Sequence, residues 1–247
     1  MNIVLSFDDG RSDAYDAYKI IKKYGLTASF HIVTGFVDGT YKNGHFGNNC
    51  KPLTIDKIQE MFSNGMDISS HGDKHIMNIE DFENSIEKFN SWNIACKRIG
   101  FSIPNSDFTM EELNTFVNKN EKLAYVRVGR NEKCYSFKSK LCYLLYRVFK
   151  IQIAYNLFNK YNLTKTINKF FISSLVIKKH IKVKTLMNFI KKYELSDYTL
   201  VIMFHSIVNN PSDQYDWSIG DFEKLCVFLK SNNKRFNVIN LLNLTNN

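Results

Sequence analysis

The sequence predicts a single α/β domain built as a deformed barrel of about seven parallel strands. Short apolar runs alternate with amphipathic helical patterns along most of the chain, which is typical of a parallel sheet covered by helices. The 247 residues suffice for one large domain, 1–247, in which the 11 Gly and 3 Pro form no linker or repeat. Ionisable side chains directly follow three of the predicted strands, so a barrel would bring them to one mouth.

Five strands are predicted before residue 130, each as a short apolar run: 3–7, 28–33, 66–69, 101–104 and 123–128. Helices with apolar residues at three- and four-residue spacing are predicted between them, over 13–24, 54–65, 78–98 and 109–118. Gly25 stands where a glycine commonly ends a helix, and Thr109 with Glu112 predicts a capping box. The final elements are a very apolar strand at 199–204, a helix at 218–231 and a strand at 236–241.

The basic character of the chain is concentrated in one segment, 133–193. This segment holds 14 of the 33 Lys and Arg residues and none of the 24 Asp and Glu residues, interleaved with Tyr, Phe, Leu and Ile. One interpretation is a helical insertion whose lysines are simply solvated. The other is a surface for an anionic partner, with membrane lipid or a sugar carried on a lipid phosphate favoured. Nucleic acid fits the charge but is disfavoured, because no nucleic-acid-binding motif accompanies it.

Cysteine usage and hydropathy indicate a cytoplasmic protein, with peripheral contact at the inner face of the membrane as an option. The five cysteines are odd in number and widely spaced, without a Cys-x-x-Cys pair, so neither a disulfide framework nor a thiolate zinc site is predicted. The apolar run before Asp8 is too short for a secretory signal, and no later run approaches the ~18 residues that span a bilayer.

The predicted strand ends carry the candidate chemistry. Asp8 and Asp9 follow the first strand, His71 and His75 follow the third, and His205 follows the strand at 199–204. Asp-Asp-Gly is also common in turns, and each histidine taken singly is also typical of a loop or a core. In a helical turn, residues four apart project from one face, so the two histidines with one carboxylate would make a catalytic zinc site.

Asp9 is the candidate third ligand of this divalent metal, for which zinc is expected. Asp8 would then stand beside the metal as a general base, and His205 would donate a proton to the leaving group. This set of groups indicates metal-assisted hydrolysis of an acyl bond.

The motifs together resemble those of the NodB-type polysaccharide deacetylases, carbohydrate esterase family 4. Ser6-Phe7-Asp8-Asp9-Gly10 is similar to the first motif, Ser70-His71-Gly72-Asp73-Lys74-His75 to the second, and Met203-Phe204-His205 to the fifth. Thr27-Ala28-Ser29-Phe30 is similar to the second-strand run. The resemblance implies a deformed (β/α) barrel that removes an acyl group, usually acetyl, from the nitrogen of an amino sugar.

The resemblance implies a role for each residue. Asp9, His71 and His75 would hold the metal, Asp8 would be the base and His205 the acid. Asn105, after the third-motif proline, would offer its backbone N–H to the oxyanion. The expected substrate is an N-acylated glycan or its lipid-linked precursor.

Three departures from the family pattern concern the residues that would surround the base, Asp8, and the acid, His205. Ser102 replaces the Arg that positions the base, and either Arg127 or Arg130 is a candidate to supply that charge or to clamp a phosphate or carboxylate. The fourth motif is not evident, since Asp216-Trp217 lies after His205. Ser206 replaces an Asp that often follows the last-motif histidine. These departures motivate an alternative, a non-catalytic glycan-binding or membrane-docking protein on the same fold.

Overall fold

The computed structural model describes residues 1–42, 50–94 and 97–246. The strands are β1 (Asn2–Phe7), β2 (Ser29–Ile32), β3 (Asp67–Ser70), β4 (Ile99–Ser102), β5 (Leu123–Arg127), β6 (Leu163–Thr164), β7 (Leu175–Val176), β8 (Thr199–Phe204), β9 (Ser206–Val208), β10 (Asp216–Ser218) and β11 (Asn237–Val238). The helices are α1 (Ala14–Lys23), α2 (Thr34–Asp38), α3 (Ile55–Ser63), α4 (Ile79–Ser91), α5 (Met110–Lys119), α6 (Phe137–Phe149), α7 (Gln152–Asn159), α8 (Val183–Lys192), α9 (Ile219–Ser231) and α10 (Leu241–Asn246).

Seven parallel strands form a curled sheet in the order β5-β4-β3-β2-β1-β8-β7. β1 lies inside the sheet between β2 and β8, and Asn2 to Phe7 pair in register with Thr199 to Phe204 of β8. The predicted α/β fold of about seven parallel strands is confirmed. Because all these strands run in one direction, their C-terminal ends open on one side of the molecule.

The basic segment contributes a wall of the barrel. The Val128 backbone N–H donates to the Ile172 carbonyl at 2.9 Å, and the Ile172 N–H donates to the Val126 carbonyl at 3.0 Å. A few residues later, the Ile177 N–H donates to Met203 of β8 at 2.9 Å. The chain from 169 to 177 therefore bridges β5 and β8, the two strands that would otherwise be edges of the sheet.

The helices pack an apolar stripe against the sheet, as their spacing predicts. α1 buries Ala14, Ala17, Tyr18 and Ile21. The capping box that opens α5 is present, with the Thr109 side chain accepting from the Glu112 N–H and the Glu112 side chain accepting from the Thr109 N–H. These contacts satisfy two N–H groups that the first helical turn leaves unpaired.

Two predicted elements are shorter than expected. The helix predicted over 78–98 ends at Ser91, and Asn93 follows in the left-handed region at a φ of 57°, where Asn is tolerated better than most residues. The strand predicted over 236–241 is limited to Asn237–Val238. Leu241 then begins α10, because its N–H is taken by Ser29 Oγ at 2.8 Å under the barrel.

Four of the five cysteines lie within the described residues. Cys50, Cys134, Cys142 and Cys226 are free thiols. Cys96 lies outside the described residues, as does part of the loop predicted before Cys50.

Candidate metal centre and active site

A cavity of about 740 Å³ opens at the C-terminal ends of the strands. It brings together all eight residues that the sequence nominates: Asp8, Asp9, His71, His75, Asn105, Arg127, Arg130 and His205. Polar and charged side chains dominate its wall, in contrast to the apolar barrel below. Among the sites within the described chain, this mouth therefore carries the groups that support hydrolytic chemistry.

The two aspartates leave β1 in different directions. The Asp8 N–H still donates to the Phe204 carbonyl at 3.0 Å, so Asp8 continues the alignment with β8. Asp9 then turns into the left-handed region at a φ of 76°, which Asp tolerates better than most residues. Gly10 has a φ of 78°, and a Cβ there would lie 3.1 Å from Ile32. The turn thus separates the two carboxylates while keeping both buried.

His71 and His75 are brought together by a loop, and the predicted helical turn between them is wrong. Gly72 has a φ of 85° and His75 a φ of 59°, so the chain cannot continue as a helix. Asp81 of α4 holds the loop, because its carboxylate accepts the N–H groups of Asp73 at 2.9 Å and Lys74 at 2.8 Å. The Nε2 atoms of the two histidines lie 3.2 Å apart.

Asp9, His71 and His75 present three ligand atoms to one point. Asp9 Oδ1 lies 3.6 Å from His71 Nε2 and 3.9 Å from His75 Nε2, and all three ligand atoms are within 4.8 Å of one another. Donors bound to one zinc ion at ~2.1 Å in tetrahedral geometry stand about 3.4 Å apart. The donor set and its spacing therefore fit a divalent metal of the catalytic type.

The tautomer of His71 supports the same interpretation. Its Nδ1 lies 2.8 Å from the Ser102 carbonyl, and a carbonyl only accepts, so Nδ1 carries the proton. Nε2 is then left with its lone pair directed toward Asp9, as a metal ligand requires. Burial lowers the pKa of His71, although Asp8 and Asp9 oppose this effect. Arg11 donates to Asp9 Oδ2 at 2.8 Å, which leaves Oδ1 toward the histidines.

Asp8 is held by Arg127. The Arg127 Nη2 contacts both carboxylate oxygens of Asp8 and also Ser102 Oγ, and all three residues are buried. Burial raises the pKa of Asp8, but the Arg127 guanidinium, assisted by His71 and His31, holds it well below its usual range. Of the two arginines that the sequence left open, Arg127 takes the place beside Asp8.

Arg130 lies elsewhere in the cavity. Its guanidinium is 5.6 Å from the Tyr143 ring centre and 5.2 Å from that of Phe158, where cation–π attraction fixes it at the rim. Its buried Nε has no hydrogen-bond partner among the described residues. Asn105 also lines the cavity, on a short turn where its φ is 55°.

Burial lowers the pKa of His205, and the carboxylates of Asp9 and Asp8 oppose this effect. Its buried Nδ1 has no hydrogen-bond partner among the described residues, and its ring lies 4.6 Å from that of Tyr215. Ser206 Oγ accepts from Arg11 at 3.2 Å. Asp216 accepts the N–H groups of Ser212 and Asp213, each at 2.8 Å, and so closes its own turn.

Two residues of the site were not singled out in the sequence. Arg11 donates to Oδ2 of Asp9, and its sequence signal is an arginine directly after the Asp-Asp-Gly motif. His31 lies on β2 with Nδ1 3.5 Å from Asp8 and Nε2 3.0 Å from the Tyr125 hydroxyl. The sequence signal that could have identified His31 is a histidine at an inward position of a buried strand.

The site has the composition of a catalytic metal centre at the mouth of a (β/α) barrel. The family model described as "Polysaccharide deacetylase" matches residues 1–126, just over half of the chain. The chain belongs to the polysaccharide deacetylase family. Asp8, Asp9, His71, His75 and Asn105 lie inside the matched part, and Arg127, Arg130 and His205 lie beyond it.

Individual relatives agree with this assignment. The putative polysaccharide deacetylase YxkH of Bacillus subtilis (strain 168) is 33% identical over 75 residues, which are 30% of this chain and 23% of that protein. The chain thus spans about a quarter of the length of this curated relative.

Solved structures show the same fold. A family 4 acetyl xylan esterase from Clostridium thermocellum, in complex with a cobalt ion, is 14% identical with a TM-score of 0.54, over 99% of this chain and 90% of that one. The Bc1960 peptidoglycan N-acetylglucosamine deacetylase is 14% identical with a TM-score of 0.53, over 96% and 86%. The expected deformed (β/α) barrel is thereby confirmed.

Proposed function

We propose that the protein is a metal-dependent hydrolase that removes an acyl group, with acetyl preferred, from the nitrogen of an amino sugar. The observation that carries the proposal is the position of Asp8, a buried carboxylate kept ionised by Arg127 within 3.9 Å of His71 in the metal-binding set. Two solved relatives support it: one contains a cobalt ion, and the other is named for deacetylation of peptidoglycan N-acetylglucosamine.

The metal is proposed to be zinc, because two imidazoles and one carboxylate are a ligand set typical of catalytic zinc. When bound, zinc would polarise the acyl carbonyl and acidify a water to a pKa near ~7. Asp8 accepts the proton of the attacking water, while Arg127 holds its carboxylate in place. The carbon–nitrogen bond breaks, and His205 donates a proton to the departing amine. The backbone N–H of Asn105 stabilises the oxyanion.

The rim indicates which substrates would fit. Arg130 has an unpaired Nε, and Lys178 lies half-buried beside it on the cavity wall. Lys178 Nζ is 4.8 Å from the Tyr215 ring centre, so an aromatic ring and two cations stand together. A sugar stacks on the ring, and an attached phosphate pairs with the cations. We therefore favour a glycan precursor carried on a lipid phosphate over an uncharged polysaccharide.

The second candidate is a glycan-binding protein on the same fold with weak or no chemistry. The Nδ1 of His205, which has no hydrogen-bond partner among the described residues, favours it, because burial lowers the pKa of His205 in spite of the opposing charges of Asp9 and Asp8. The position of Arg127 argues against it, because the charge expected next to the base is present after all. The two candidates differ in whether acetate is released.

The test is acetate release from N-acetylated chitin oligosaccharides, with formate followed in parallel. The protein is stripped with a chelator and then reloaded with zinc. We expect turnover only after reloading, and Asp8→Asn to retain zinc while losing about 10²-fold or more in kcat. Equal turnover in Asp8→Asn would contradict the role of Asp8. Binding of the oligosaccharide without release of acetate or formate would instead support the second candidate, a glycan-binding protein.

A further inference from the structure

Most of the exposed large apolar side chains of the described chain lie in one region. Nine of the thirteen exposed large apolar residues lie between Tyr135 and Leu157. Most belong to α6 and α7, which form a helical hairpin over 137–159 whose inner side packs through Tyr146 against Tyr155, with ring centres 4.7 Å apart. Tyr155 continues this packing onto Phe189 of α8 at 5.8 Å. The inner side is therefore fully used by the fold.

The outer side of the hairpin has a second apolar stripe. On α6 it recurs at helical spacing, and α7 continues it with two residues four apart. The outer stripe consists of Phe137, Leu141, Leu144, Val148, Ile153 and Leu157, which are 82%, 47%, 55%, 58%, 68% and 43% exposed. Phe149 and Ile151, at the turn of the hairpin, are 67% and 42% exposed. Contiguous exposed patches of this kind mark interaction surfaces.

The charges around the outer stripe have one sign. Lys138, Lys140, Arg147, Lys150 and Lys160 are exposed along its borders, and no Asp or Glu occurs anywhere from 133 to 193. A second copy of the chain docked here would place cations against cations. An anionic lipid surface matches both features, because phosphates pair with the lysines while the apolar side chains enter the acyl boundary.

The hairpin also adjoins the mouth of the cavity. Arg130 lines the cavity and stacks on Tyr143 of α6 and Phe158 of α7. Tyr135, which lines the same cavity, is 56% exposed just before α6 begins. A surface that receives the hairpin would therefore lie beside the opening.

We infer that the α6–α7 hairpin docks the protein on an anionic membrane surface, with the outer stripe inserted at the interface and its lysines and Arg147 on lipid phosphates. Among the described residues, no helix has the length and apolar character needed to cross a bilayer. This inference goes beyond the proposed hydrolysis and is tested without it.

The experiment is co-sedimentation of the purified protein with vesicles of phosphatidylcholine alone or mixed with phosphatidylglycerol. We expect binding to the mixed vesicles that weakens as salt is added, because screening acts on the lysines. Phe137→Ser/Ile153→Ser is expected to lower the partition coefficient about tenfold or more, since both side chains lose their insertion. Leu195→Ser, which changes a residue 92% exposed outside the hairpin, is the matched control and is expected to bind as wild type.

A second pair of variants tests the charges. Lys138→Gln/Lys140→Gln is expected to weaken binding to the mixed vesicles, and Lys119→Gln/Lys122→Gln, at the far end of the barrel, is expected not to. No binding of the wild type to mixed vesicles overturns the inference. So does a wild-type dimer, measured by light scattering, that Phe137→Ser/Ile153→Ser dissociates, because the stripe would then hold a second copy. Melting curves of each variant establish that it is folded.

Discussion

Arg127 at the end of β5 contacts Ser102 at the end of β4 and reaches past it to the carboxylate of Asp8. By the motif resemblance, Ser102 stands where an arginine would be expected, and the Arg127 guanidinium lies against its small side chain. The positive charge beside the base is thus supplied by the neighbouring strand. This exchange retains the pairing of Asp8 while moving the arginine 25 positions along the chain.

The first prediction concerns this exchange. Arg127→Gln leaves Asp8 buried without its counter-charge, which costs about 3–5 kcal/mol of stability and lowers kcat. Moving the arginine back, in Ser102→Arg/Arg127→Ser, is expected to recover part of both losses because the charge returns from the adjacent strand. Urea unfolding and acetate release measure the two effects. A double variant no better than Arg127→Gln would contradict the equivalence of the two positions.

The second prediction concerns metal content. His71→Ala/His75→Ala and Asp9→Ala are expected to abolish bound zinc, because each removes a donor from the three-ligand set. Asp8→Asn and His205→Ala are the matched controls, which lie in the same cavity and are expected to keep about one zinc ion per chain. Mass spectrometry of the purified proteins after dialysis against zinc gives the ratio. Full zinc content in His71→Ala/His75→Ala would rule out these ligands.

The third prediction concerns the loop that carries His71 and His75. A Cβ at Gly72 would lie 2.3 Å from Asp81 Oδ2, whereas one at Gly65, with a similar φ of 80°, meets nothing within 4 Å. Both Ala substitutions strain the backbone, by about 1–2 kcal/mol, but only Gly72→Ala displaces the carboxylate that holds the loop. We expect zinc affinity to fall about tenfold or more in Gly72→Ala alone. Equal zinc affinities in Gly72→Ala and Gly65→Ala would show that the contact of Asp81 with the loop does not support metal binding.

The fourth prediction is a pH dependence of stability that comes from His180. Burial, together with Lys150, Arg147 and Lys178, lowers the pKa of His180 to about 4. In the unfolded chain its pKa is about 6.5, so the unfolded state gains a proton first as the pH falls. Stability is therefore lost between about pH 6.5 and pH 4. The pKa difference corresponds to about 3 kcal/mol, and solvent screening of the half-buried ring reduces this loss to about 2 kcal/mol.

Urea unfolding of wild type and His180→Asn across this pH range isolates the contribution. The difference in unfolding free energy between the two proteins is expected to shrink as the pH falls, because carboxylates titrate equally in both. His180 contacts the Tyr143 hydroxyl through Nε2 at 3.3 Å, a contact that Asn can partly replace. A difference that stays constant with pH would show that His180 is not buried in its neutral form.

The strand ends of the site were predictable from the sequence because the carboxyl ends of parallel strands meet at one face. That rule placed Asp8, Asp9, His71, His75 and His205 together without knowledge of the loops. The sequence prediction left Arg127 and Arg130 as alternatives. The alternation of side chains along β5 could have decided between them, because it places Arg127 on the inward face of the strand. Tyr125 and Arg127 share a face, and Tyr125 reaches the interior residue Asp67 at 2.8 Å.

Other features required the tertiary structure. The two histidines have helical spacing, yet the Asp81 carboxylate holds them in a loop that local spacing does not reveal. The bridge between β5 and β8 was hidden because Ser173 and Ser174 interrupt its apolar residues within a basic segment. The hairpin in that segment was anticipated as an insertion, but the exposure of its outer stripe depends on which face packs against α8.

The position of β1 between β2 and β8 has a consequence for how the chain folds. Asn2 lies against Thr199, 197 residues away in sequence, so β1 gains β8 as its second neighbour only after all the residues between them have been synthesised. Until then, one side of β1 is an open edge rich in Ile, Val and Leu, which is prone to pair with other chains. Such late long-range pairing slows folding. Residues 1–126, which carry both aspartates and both histidines, therefore cannot complete the barrel as a fragment.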